Sequence, residues 1–166
     1  MYKHRYNMAI NCGGEAQCLV TSRCIEAAHV LTFLVYGVKA TATITSTTGL
    51  TTPEPNTLTP DQLTAVYVAG VCGEVLYGDH KVSPHIGAYG DSLNICRVLN
   101  IDERQNAHGI ATCIALLAEG KTAKFLPPPE VVEKLKKAIA EAKQTLARHQ
   151  RVLKQITTTL TEHGRC

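Results

Sequence analysis

The chain has 166 residues, 45% of them apolar and 19% charged, which excludes wholesale disorder and fits one domain, or one domain with an appendage. Its net charge is +3, unevenly placed: residues 128–166 hold eight Lys or Arg against four Glu, leaving nine basic and ten acidic groups elsewhere. An aromatic content of 5% with no Trp argues against a stacking platform for single-stranded nucleic acid. No apolar run approaches the 18 residues of a membrane span.

Residues 1–20 form a mixed N-terminal segment with Gly13-Gly14 as a breaker. A helix is predicted from Thr21 to Tyr36, capped by Thr21 or Ser22 and stopped by Gly37. The Thr-rich alternation Lys39–Thr47 predicts a strand, and Gly49–Pro60, with three prolines, a loop. Thr59 or Asp61 caps a second helix ending at Gly78. A polar loop with His80 and His85 follows, then helices over 91–99 and 102–119, the second ended by Gly120. Pro127-Pro128-Pro129 reads as a stiff spacer.

The last element has the clearest period. Leu135, Ile139, Ala142, Leu146, His149, Leu153, Ile156 and Leu160 recur at alternating spacings of four and three. That predicts one helix of about 34 residues, about 50 Å long at 1.5 Å per residue. Its seam is expected to pack on the body of the domain or on a second copy, with His149 as a hydrogen-bonded packing residue. Glu130–Lys134 and Glu133–Lys137 are i,i+4 pairs on its outer side.

Seven cysteines, several inside apolar runs (Cys72, Cys96, Cys113), and an opening MYKHRYNMAINCGG without an apolar core point to a reducing, cytoplasmic setting without a disulfide framework. There is no G-x-x-x-x-G-K phosphate loop and no C-x-x-C pair.

One short pattern carries chemistry. Glu26 and His29 on the first helix have the spacing of the second half of an H-E-x-x-H zinc motif. In that motif two His at i and i+4 hold the ion from one helix face, and the Glu beside the first is the general base. An E-x-x-H pair alone is common in amphipathic helices.

Its surroundings give it context. In order, the chain holds IEAAHVLTFLVYG, then AGVCGEVLYG (69–78), then GAYGDSL (87–93), then AIAEAKQTLARHQRVLKQITTTL (138–160). This series resembles the peptidase domain of the FtsH-type zinc proteases, over residues 20–163. The resemblance implies a mainly α fold with a short β element and a long C-terminal helix: a metallopeptidase-like core over 21–127 and the helix over 128–166. It implies Glu26 as catalytic base and His29 and Asp91 as metal ligands. The family's ATPase module and transmembrane segments have no counterpart in these residues, so no ATP dependence is implied.

The pattern also departs from the family. Ile25 stands where the first His ligand belongs, Ala28 where Gly is usual, and Gly90 where Asn is usual. A catalytic zinc needs three protein ligands and an open position for water. His29 and Asp91 supply two. His85, six residues before Asp91, or Cys24, next to Ile25, is the candidate replacement.

Two functions compete. The first is a non-catalytic peptide- or protein-binding pseudopeptidase, without bound Zn²⁺. The second is an active zinc metalloendopeptidase with a substituted ligand set. A homo-oligomer through the C-terminal helix is a further expectation, with no nucleic acid partner.

Overall fold

The computed structural model describes residues 15–45, 48–78, 84–123 and 127–166, apart from the side chains of 15–22 and 84–86. The architecture is mainly α. It comprises α1 (Glu15–Val35), β1 (Ala40–Ile44), β2 (Gly49–Pro53), α2 (Pro60–Tyr77), α3 (Pro84–Val98), α4 (Glu103–Ala118), α5 (Pro129–Arg148) and α6 (Gln150–His163).

Local chemistry sets several of these boundaries. Gly37 ends α1 with φ +75°, a conformation costly for other residues. Thr59 caps α2 through a capping box: its hydroxyl accepts from the Gln62 N–H, and the Gln62 side chain accepts from the Thr59 N–H. Asp102 caps α4 by accepting from the Gln105 N–H. Gly120, with φ +77°, follows the end of α4.

Five expectations are corrected. First, α1 begins at Glu15, so Thr21 and Ser22 lie inside the helix. Second, part of the predicted loop after residue 49 is β2, antiparallel to β1 with Thr41 opposite Thr52 and Ala42 opposite Thr51. Third, α3 starts at Pro84, so His85 and Gly87–Gly90 are helical; Pro suits a first helical turn, where its missing N–H is not needed. Fourth, the single C-terminal helix is two helices. His149 breaks it with φ −112° and ψ 27°, and its side chain is exposed rather than packed. Fifth, Glu133 pairs with Lys136 at 2.7 Å instead of the expected Lys137.

The core is continuous across the chain. α1 packs on α2, α2 on α5, α3 on α4, and α6 on α1. Leu135, Ile139, Ala142, Leu146, Leu153 and Leu160 of the predicted seam are all buried in that core, together with Ala28, Leu31, Val68 and Ile114. Residues 128–166 therefore share the hydrophobic interior of 21–127. Cys72, Cys96 and Cys113 are fully buried, as expected of cysteines in apolar runs. Small residues let α1 and α2 approach closely: a methyl group built on Gly73 would lie 2.8 Å from Ala28 Cβ.

The two-stranded sheet lies against α1. The outer edge of β1 is covered by Gly164–Cys166. Ala42 and Cys166 exchange N–H···O bonds of 3.0 Å in both directions, and the Ile44 N–H donates to the Gly164 carbonyl at 2.7 Å. Among the described residues, the backbone of β2 pairs only with β1. No helix among the described residues is long and apolar enough to cross a membrane.

Candidate functional site

Glu26 and His29 are one helical turn apart on α1, and both are buried. Their side chains meet, with His29 Nδ1 3.7 Å from Glu26 Oε2. Asp91, in the middle of α3, closes the cluster from the other side: its Oδ2 lies 3.3 Å from His29 Nε2. The three residues singled out from the sequence as base and ligands are therefore brought together by elements far apart in the chain.

The hairpin supports the carboxylate. The Thr51 hydroxyl, on the α1-facing side of β2, donates to Glu26 Oε2. Gly49 lets the strand pass close by, since a methyl group there would sit 2.6 Å from Glu26 Oε1. Gly70 of α2 plays the same part for the imidazole. A methyl group on it would lie 2.5 Å from His29 Nε2 and 2.9 Å from Ile25 Cγ2.

Electrostatics follow from burial and these contacts. Burial opposes a charge on His29, but Asp91 and Glu26 outweigh it and hold the imidazole well above its ordinary 6.5. Burial pushes the Asp91 carboxyl up, and His29 pulls it back. Tyr67 is pushed up to about 12 by burial and by Asp91, which places its phenol within the field of the cluster. The arrangement can hold one proton between an imidazole and two carboxylates.

Ile25 occupies the remaining corner. Its side chain meets Gly70 of α2 through Cγ2 and Gly87 of α3 through Cδ1, and it is 9% exposed. The position from which a second imidazole would reach the cluster is thus filled by hydrocarbon wedged between three helices.

The replacement candidates are differently placed. The Cys24 thiol points to the end of α2, where it donates weakly to the Tyr77 carbonyl at 3.7 Å. His85 lies in the first turn of α3, with its side chain outside the described part, and His80 lies outside the described residues altogether.

No protein-family model, curated protein or solved structure gives a significant match to this chain.

Do the residues fit a zinc ion? Two donors do. His29 Nε2 and Asp91 Oδ2 are buried without a hydrogen bond. Their 3.3 Å separation is what two ligands about 2.0–2.1 Å from one tetrahedral ion would show. A third donor does not join them among the described residues. Among the described residues no three His, Cys, Asp or Glu side chains form a metal-holding group. Among the described residues the donor set does not fit a catalytic zinc, because Ile25 supplies no lone pair.

Sequence reasoning missed Thr51, Tyr67 and Glu74. Glu74 on α2 is 2% exposed, and its Oε2 is without a hydrogen bond. A methyl group on Gly87 would lie 3.0 Å from both Glu74 Oε2 and Ile25 Cδ1. The A-G pair and Glu of segment 69–78 were the available signal for Gly70 and Glu74. For Thr51 and Tyr67 the sequence offered none.

Proposed function

We propose that this chain is a zinc-peptidase-like protein of the FtsH type whose metal centre is incomplete, and that it binds peptide or protein segments without cleaving them. The observation that carries the reading is Ile25, packed between Gly70 and Gly87 beside the His29–Asp91 pair. Zinc, in a complete site of this kind, would acidify a bound water and polarise the peptide carbonyl. Here Glu26 is engaged by Thr51 and His29 instead of facing such a water.

The reading of the partner as a peptide rests on β2. Its outer edge is unpaired among the described residues, and it runs directly over Glu26. An unpaired edge offers main-chain donors and acceptors to an extended segment. Leu50 and Thr52, exposed on its far face, would flank such a segment.

The alternative reading, an active zinc metalloendopeptidase with a substituted ligand set, is favoured by one observation. His29 Nε2 and Asp91 Oδ2 are spaced as two ligands of one ion and lack other partners. It requires that His29→Ala and Asp91→Ala each abolish metal binding.

The deciding experiment measures zinc content by mass spectrometry of the purified chain, together with binding and cleavage of fluorescein-labelled unfolded casein. The expected result is zinc well below one per chain, saturable casein binding and no EDTA-sensitive cleavage. One zinc per chain with EDTA-sensitive cleavage overturns the reading.

A further inference from the structure

A second concavity shares no lining residue with the Glu26–His29–Asp91 cluster. It lies between α6 and the junction of α1 with α2 and has a volume of about 540 Å³. That is within the range of about 300–1,000 Å³ seen for small-molecule sites. Cys24, Gly73, Tyr77 and Leu153 line it, and Arg151 and Lys154 stand at its α6 side.

Its chemistry is lopsided. Arg151 and Lys154 are three apart on α6, so their side chains emerge from one face. Both are exposed, and neither makes an ion pair among the described residues. Among the described residues no Asp or Glu lines the cavity. The nearest acidic influence on Cys24 is Glu74, and burial pushes that carboxyl up to about 7, which leaves much of it uncharged near neutrality. Burial also raises the Cys24 thiol, so it behaves as a small apolar group and not as a thiolate.

A largely apolar wall with two cations and, among the described residues, no ion pair to them and no anion selects a ligand by charge and shape together. A neutral hydrocarbon would leave Arg151 and Lys154 with water alone, and a cation would be repelled. We propose that the α1/α2/α6 cavity binds one molecule of an anionic amphiphile: a single carboxylate or phosphate head on Arg151 and Lys154, and an apolar body against Tyr77, Gly73 and Leu153. The volume suits a single free molecule, not a membrane surface.

The test uses the full chain with 1-anilinonaphthalene-8-sulfonate, an apolar anion, as fluorescent probe. Decanoate, below its aggregation concentration, is the competitor; decanol and decyltrimethylammonium are the charge controls. Decanoate is expected to displace the probe saturably and about tenfold better than decanol, from two exposed charge contacts. In the double variant Arg151→Glu, Lys154→Glu that advantage should vanish. Both residues are exposed, so the variant should keep its helical circular dichroism. Decanoate should also slow alkylation of Cys24, followed by peptide mass mapping. Equal displacement by decanol, unchanged affinity in the double variant, or displacement that does not saturate overturns the proposal.

Discussion

His29 Nε2 and Asp91 Oδ2 face one another at 3.3 Å inside the protein, and neither makes a hydrogen bond. They are close enough to attract and too poorly aligned to bond. Ile25, one turn before His29, is positioned to decide what the pair can hold. Ile25→His restores the i,i+4 arrangement of imidazoles on one helix face. Losing even the supporting partners of a ligand costs about 10–100-fold in metal affinity. The substitution should therefore raise zinc affinity by at least about 100-fold, measured by competition with a chromophoric chelator. No gain would mean that the frame around Asp91 does not match a zinc site.

Asp91→Asn removes the charge that holds His29 protonated. Because the native His29 value is raised, its contribution to stability is fully present below about pH 6.5 and is lost as pH rises through the raised value. Breaking one side of a buried pair costs about 3 kcal/mol. The variant should be destabilised most at pH 6, with the gap narrowing in alkaline solution. Urea unfolding at a series of pH values checks this. A gap independent of pH would remove His29 from the explanation.

Glu74 gives a second pH effect. Its native value, about 7, is raised from 4.5 by burial. A carboxyl raised on folding contributes stability that is complete below about 4.5 and declines as pH climbs to 7. The loss should be about 3 kcal/mol. Glu74→Gln cannot ionise, so its unfolding midpoint should fall less than that of the natural chain over this window. Parallel pH profiles for the two proteins would contradict the assignment.

Gly70→Ala separates packing from propensity. Alanine in a helix interior is favoured over glycine by about 1 kcal/mol. Here its methyl group would lie 2.5 Å from His29 Nε2 and 2.9 Å from Ile25 Cγ2. Overpacking of this kind costs about 1–3 kcal/mol. The net expectation is a lower thermal midpoint. The companion Gly90→Ala, with nothing within 4 Å, should raise it.

Thr51→Val tests the link between hairpin and helix. It removes the hydroxyl that donates to Glu26 and leaves a buried carboxylate oxygen short of a partner. The cost should be about 1–3 kcal/mol, with Thr51→Ser close to the natural chain by chemical denaturation.

Much of the fold was legible where local chemistry decides: the Thr59 cap, the Gly37 and Gly120 stops, and the strand after Lys39. The C-terminal helix misled because a 3.5-residue period records faces and not axis direction. The apolar spacing runs through His149 unbroken, yet α5 faces α2 while α6 faces α1. No proline or glycine marks the break, and the sequence offers no physical account of it. β2 was hidden because its prolines and threonines resemble a loop until they pair with β1. The site was half legible. Glu26 and His29 have a spacing common in ordinary helices, and only the resemblance of the surrounding segments singled them out, with Asp91. The packing of α3 brings Asp91 to them, and Thr51 arrives through a hairpin that local pattern did not reveal.

The pairing of Gly164–Cys166 with β1 sets a timetable for assembly. Most of the chain separates Ala42 from Cys166, so the hairpin is synthesised long before its neighbour. Until Gly164–Cys166 are in place, β1 presents bare main-chain donors and acceptors to whatever extended segment is nearby. A chain cut before Gly164 is therefore the form most exposed to mispairing, because it lacks the molecular latch that drops onto Ala42 and Ile44.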